Sequence, residues 1–142
     1  MNVLVVNAGS SSLKLSLLDP ADSILAATEV QHWHTEDPPP TLPSFLNALP
    51  RVDAVGHRIV HGGPKLTAAA VLDPAMRREI EAVTDLAPLH QPRALAGIDA
   101  VSALLPGVPA VACFDTAFHA AMPAAAATYA LPETVMLPRA HG

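Results

Sequence analysis

The chain has 142 residues, 51% of them apolar and 15% charged, with a formal net charge of −5. That length suits one domain with a sizeable core. The acidic balance, the lack of any Lys/Arg run and a total of one Trp, one Tyr and three Phe argue against a phosphate-tracking groove or a base-stacking platform, so no nucleic-acid partner is expected.

Asn2 to Asn7 and Leu13 to Leu18 read as two strands joined by the polar turn Ala8-Gly9-Ser10-Ser11-Ser12, and the spacing predicts a hairpin. A third strand is expected from Ser23 to Val30, after the turn-forming Asp19-Pro20-Ala21-Asp22. His32 to Pro43 should be loop, followed by a short amphipathic helix with Leu42, Phe45, Leu46 and Leu49 on one face. A strand is expected over Val52 to Val60. Asp73-Pro74 pairs an N-cap with proline at the first helical position, and Ile80, Val83, Leu86 and Ala87 extend one helical face to Pro88. Another helix is predicted from Ala94 to Leu105, broken by Pro106-Gly107. Val108 to Phe114 is a continuous apolar run of strand length, as in a strand covered on both faces. Its Cys113 reads as a buried thiol, since the single cysteine forms no internal disulfide. The apolar start Val3 to Val6 is too short for a signal segment and no stretch is long enough to span a bilayer, so a cytoplasmic protein without membrane attachment is expected. The order is an antiparallel β-meander followed by alternating α and β, an α/β fold.

Several segments carry chemistry. Asn7-Ala8-Gly9-Ser10-Ser11-Ser12, with Lys14 just beyond, offers backbone N–H groups, hydroxyls and a cation of the kind phosphate oxygens need. Gly9 would let the backbone approach a ligand, and Asn7 could accept from a metal-bound water. A hydrophilic hairpin turn with a solvated lysine is the alternative. Gly56-His57-Arg58-Ile59-Val60-His61-Gly62-Gly63 places Arg58 at a strand end, where its guanidinium can fork onto a carboxylate or phosphate beside an apolar wall at Val60. An internal salt bridge for Arg58, with strand-end hydrogen bonds for the histidines, fits the same residues. Asp115 lies just past an apolar strand, where open α/β sheets meet ligands, or else caps a helix. His90 and His119 remain open between a site and a structural role. The histidine spacings match no compact zinc pattern.

Taken together, Asn2 to Lys14, His57-Arg58-Ile59-Val60-His61-Gly62-Gly63 and Phe114-Asp115-Thr116-Ala117-Phe118-His119 resemble three signatures of the acetate kinase family, in the family's order. The resemblance runs from Asn2 to about Pro132. It implies a ribonuclease H-like N-terminal domain of the sugar kinase/Hsp70/actin type over 1–132, with a loose tail over 133–142. It also implies reversible, ATP-dependent phosphorylation of acetate to acetyl phosphate, with Mg2+ or Mn2+. Carried across by resemblance, Asn7 stands on the metal side, Ser10, Ser12 and Lys14 face the nucleotide phosphates, and Arg58 holds the substrate carboxylate or acetyl phosphate. Asp115 becomes the essential acid, and Val60 and Leu89 line the acyl-methyl pocket. The family is homodimeric, through contacts expected mostly in a C-terminal nucleotide-binding domain that these residues do not include. Little activity is therefore expected of the chain alone.

The chain also departs from the pattern. Gln91 and Arg93 replace the usual Asn and Pro, and Pro64 replaces an acidic residue. Two rival functions stay open: a propionate or butyrate kinase, and a non-catalytic module that binds an acyl phosphate or a partner chain.

Overall fold

Val3–Ala8 (β1) and Ser12–Leu18 (β2) pair antiparallel, and Ile24–Gln31 (β3) pairs with β2. Together they form the meander that the sequence predicts. The computed structural model describes residues 1–9, 12–31, 40–59, 69–86, 88–89 and 91–114. The β2–β3 connection turns at Asp19, whose carboxylate accepts from the backbone N–H groups of Ala21 and Ser23, both at 2.9 Å. Asp22 takes the left-handed conformation, φ 62°, which a short acidic side chain tolerates.

After helix α1, Thr41–Asn47, the chain enters the sheet again as β4, Ala54–Ile59, and later as β5, Ala70–Val71. Helices α2, Pro74–Ala82, and α3, Gln91–Leu104, then lead to β6, Ala110–Phe114. The sheet order is β3-β2-β1-β4-β6-β5. β1, β4 and β6 are mutually parallel, and the other pairings are antiparallel. All three parallel strands therefore end at one edge of the sheet.

Alternation along β1 assigns its two faces. Leu4, Val6 and Ala8 join Leu13, Leu15, Leu17, Val30, Val55, Val101 of α3 and Leu42 and Leu46 of α1 in the main core. A second cluster continues it under α2 and α3 with Ile59, Ala112, Phe114, Ile80, Ala94, Leu95 and Ile98. The opposite face carries Val3 and Val5, and then Asn7 at the strand end. α3 lies over β1 and β4. α2 is held to α3 by Arg77, which donates to Asp99 at 2.8 and 2.6 Å and to Glu81 at 3.0 Å.

Four expectations change. α1 begins at Thr41, so Pro43 belongs to the helix and not to the preceding loop; in the first turn its missing N–H costs no intrahelical bond. α2 stops at Ala82 instead of running to Pro88. Thr84 Oγ1 donates to the Glu81 carbonyl at 2.6 Å, and Thr84–Leu86 tightens into a 3-10 turn. The start of α2 is as read, with the Asp73 carboxylate accepting from Met76 N–H at 2.7 Å. α3 starts at Gln91, three residues earlier than expected, with Pro92 in its first turn. β5 has no counterpart in the sequence reading. Val108 to Phe114 does form a strand, from Ala110, with its last four residues buried. The tail expected over 133–142 lies outside the described residues.

Candidate functional site

The register of the parallel strands brings the chemistry together. Asn7 of β1 lies opposite Arg58 of β4, and Arg58 opposite Cys113 of β6. On the other side Asn7 pairs with Lys14 of β2. One row across the sheet edge thus reads Lys14, Asn7, Arg58, Cys113. Arg58 Nη1 donates to Asn7 Oδ1 at 3.3 Å, so these side chains share the face away from α3. Both are half-buried, and Lys14 is exposed. Asn7 and Arg58 are fifty-one positions apart in sequence, so only the parallel pairing of β1 with β4 makes them neighbours.

At 3.3 Å the Asn7–Arg58 bond is at the long end of the range for N–H to oxygen. It orients the two groups toward each other. Beyond Asn7 the chain folds back through a tight turn in which Gly9 N–H donates to the Ser12 carbonyl at 2.8 Å. A Cβ at Gly9 would meet Ser12 O at 3.4 Å and Ser12 Oγ at 3.7 Å, which is ordinary contact. Packing against Ser12 therefore does not demand glycine there.

Cys113 is buried between Val111, Val5 and Ala69, and burial pushes its thiol up to about 11. A thiol so protonated is a poor nucleophile. His57 precedes Arg58 but points to the opposite face, in the row of Val6 and Ala112. It is 2% exposed, its Nε2 is buried without a hydrogen-bond partner among the described residues, and burial lowers its pKa to about 4. The strand-end hydrogen bond considered for this histidine is not seen at Nε2. The alternation Val55-x-His57-x-Ile59 was the signal in the sequence that would have assigned it to the core.

Of the other predicted site residues, Ser12 opens β2 half-buried, and Leu89 lies 78% exposed in the turn before α3. Ser10, Val60, His61, His90, Asp115 and His119 lie outside the described residues. For a divalent cation, Asn7 Oδ1 is a hard oxygen of the type magnesium accepts, and the described residues hold no cluster of three or more His, Cys, Asp or Glu able to ligate a metal.

A strand-end arginine, an asparagine bonded to it and the lysine paired with that asparagine are therefore neighbours in one row. The family model described as the Acetokinase family matches residues 41–140. The chain belongs to the acetokinase family. Its relatives include the acetate kinase of Micrococcus luteus, 42% identical over 162 aligned positions that take in 100% of this chain and 41% of that protein. The acetate kinase of Halothermothrix orenii is 38% identical, with 93% of this chain and 42% of the relative covered. The chain thus spans about two fifths of the length of these relatives. Among solved structures it resembles Porphyromonas gingivalis acetate kinase, with a TM-score of 0.68 and 32% identity over 82% of this chain and 38% of the other. A propionate kinase from Francisella tularensis gives the same TM-score, 0.68, at 30% identity over 83% of this chain and 38% of that one. The α/β architecture is that of the sugar kinase/Hsp70/actin type. No helix among the described residues is long and apolar enough to cross a membrane.

Proposed function

We propose that this acetokinase chain supplies the acyl-substrate half of an acetate kinase site, acting in the reversible transfer of the terminal phosphate of ATP to acetate. The observation that carries the reading is the Asn7–Arg58 pair at the ends of two adjacent parallel strands, with Lys14 in the same row. A carboxylate oxygen of acetate forms the new bond to the terminal phosphorus as the bond from that phosphorus to the bridging oxygen breaks, leaving ADP and acetyl phosphate. Acetate is already ionised at neutral pH, so no general base is needed. Phosphoryl transfer asks the protein for positioning and for charge neutralisation.

Arg58 holds the acetate carboxylate, and the acetyl phosphate formed from it, with its forked donors. Ser10, Ser12 and Lys14 receive the phosphate oxygens around the Gly9 turn. Asn7 and Asp115 are the residues that would hold magnesium, the latter following directly on Phe114 at the end of β6. A bound magnesium ion would add positive charge beside the transferring phosphoryl group. Val60 and Leu89 face the acyl methyl group in this reading, Leu89 becoming covered when substrate and further protein close over its exposed side chain. The remaining phosphate and adenosine contacts would come from a second domain of the kind the longer relatives have room for, and homodimer formation would follow from it.

The test is acetate-dependent, magnesium-dependent ATP consumption by this chain joined to the part of the Micrococcus luteus relative that it does not cover, with acetate, propionate and butyrate in parallel. Turnover with acetate above the longer acids is the expected result. Preference for propionate would instead favour the alternative suggested by the Francisella likeness, and no turnover with any of the acids would overturn the reading.

A further inference from the structure

Asn7 directs its amide oxygen at a cation of the fold itself: Oδ1 accepts from Arg58 Nη1 at 3.3 Å, in a half-buried contact. A guanidinium only donates, so the amide turns its oxygen, and not its NH2, toward β4. The parallel register sets Asn7 beside Arg58, and alternation puts both on the face away from α3. Neighbouring strands stand about 4.8 Å apart, which leaves the two side chains within reach of each other as they rise from the sheet.

The row beneath them on this face reads Val5, Gly56, Val111. Gly56, two residues before Arg58 on the same strand and face, has no side chain to steady the guanidinium stem. Val5 and Val111 offer apolar contact, and Cys113, across the β4–β6 pair, carries a buried thiol that is a weak acceptor. Among these side chains Asn7 is the one with a strong acceptor oxygen. An arginine loses much rotamer freedom when it grips an anion, and its fork fits a carboxylate or phosphoryl group in one plane. A neighbour that holds one Nη in place before the ligand arrives removes part of that loss. Oδ1 carries two lone pairs, so accepting from Nη1 is compatible with facing a metal-bound water as well.

We propose that Asn7 is a positioning residue for Arg58: through Oδ1 it pre-orients the guanidinium for a carboxylate or phosphoryl oxyanion, and it does so with no metal bound. This gives Asn7 a role toward the acyl ligand that is separate from any role on the metal side. The inference rests on Arg58 being the anion-holding residue of the strand-end site.

The experiment is calorimetric titration of the 142-residue chain with acetate, acetyl phosphate and inorganic phosphate in EDTA, repeated with magnesium. The variants are Asn7→Ala, Asn7→Asp, Arg58→Lys, Arg58→Ala and Asn7→Ala combined with Arg58→Lys, each with a thermal melt and with the Arg58 side-chain Nε–H followed by NMR. In EDTA, Asn7→Ala is expected to weaken all three anions about tenfold, and the loss should shrink to about twofold or less in the Arg58→Lys background. The Arg58 resonance should stand apart from that of free arginine, collapse toward it in Asn7→Ala and return in Asn7→Asp, whose carboxylate keeps an oxygen for Nη1. A loss that appears only with magnesium, or that persists undiminished in the Arg58→Lys background, would overturn the positioning role. Unchanged affinity in Asn7→Ala beside a loss in Arg58→Ala would overturn it too and leave the strand-end site standing. If Asn7→Ala fails to fold, the unaltered chain decides: an Arg58 resonance averaged to the free-arginine position overturns the proposal, and a distinct one that Asn7→Asp preserves supports it. Failure of the unaltered chain to bind any of the three anions would overturn the strand-end reading itself, and this inference with it.

Discussion

Replacing Arg58 by alanine is expected to weaken acetyl phosphate binding about a hundredfold, the cost of losing charge-assisted, bidentate hydrogen bonds in a half-buried position. The fold should survive, because Arg58 contributes to neither of the two main core clusters and its strand is anchored by Val55 and Ile59 on the other face. Arg58→Lys keeps the charge without the planar fork and should recover only part of the affinity. Calorimetry, read beside denaturation midpoints, separates the two effects. A loss below about threefold, with the midpoint unchanged, would move the acyl phosphate away from the ends of β1 and β4.

Lowering the pH from 7.5 to 4.5 is expected to destabilise the chain by about 2–3 kcal/mol through His57 alone. Among the described residues the groups around this imidazole are apolar: Val6 and Ala112 flank it in the sheet, and α3 faces this layer with Ala94, Leu95, Ile98 and Val101. Desolvation holds its pKa at about 4, below the ordinary 6.5 of an unfolded histidine. The folded state therefore binds fewer protons than the unfolded state between these values. The contribution is fully present above about pH 6.5 and is lost as the pH falls toward 4. Urea unfolding of the protein and of His57→Leu at both pH values isolates it, since the carboxylates common to both cancel. The pH-dependent loss should shrink by about 2–3 kcal/mol in His57→Leu. Identical losses would mean that water or a polar group reaches Nε2.

Much of this architecture could be read from residue order. The alternation in Val3 to Leu18 gave the hairpin, and the unbroken run to Phe114 announced a strand buried on both faces. The Asp73-Pro74 pair located the start of α2. Its end was not readable, because Ile80, Val83 and Leu86 continue a helical stripe that the Thr84 hydroxyl interrupts through one local bond to Glu81. β5 has two residues, too few for any period to register.

The site was legible as residue types and not as geometry. Asn7, Lys14 and Arg58 each stood at a strand end, yet their placement in one row depends on the parallel β1–β4 register, a long-range pairing that no local pattern encodes.

The central claim is that one ligand bearing a carboxyl or phosphoryl group sits at the shared end of β1 and β4. Backbone amide NMR of the labelled chain during titration with acetyl phosphate tests it directly. Shifts concentrated at Asn7, Gly9, Ser12, Lys14 and Arg58, with the Ile24 end of β3 unmoved, are the predicted result; shifts centred elsewhere on the sheet, or none at saturating ligand, would contradict it.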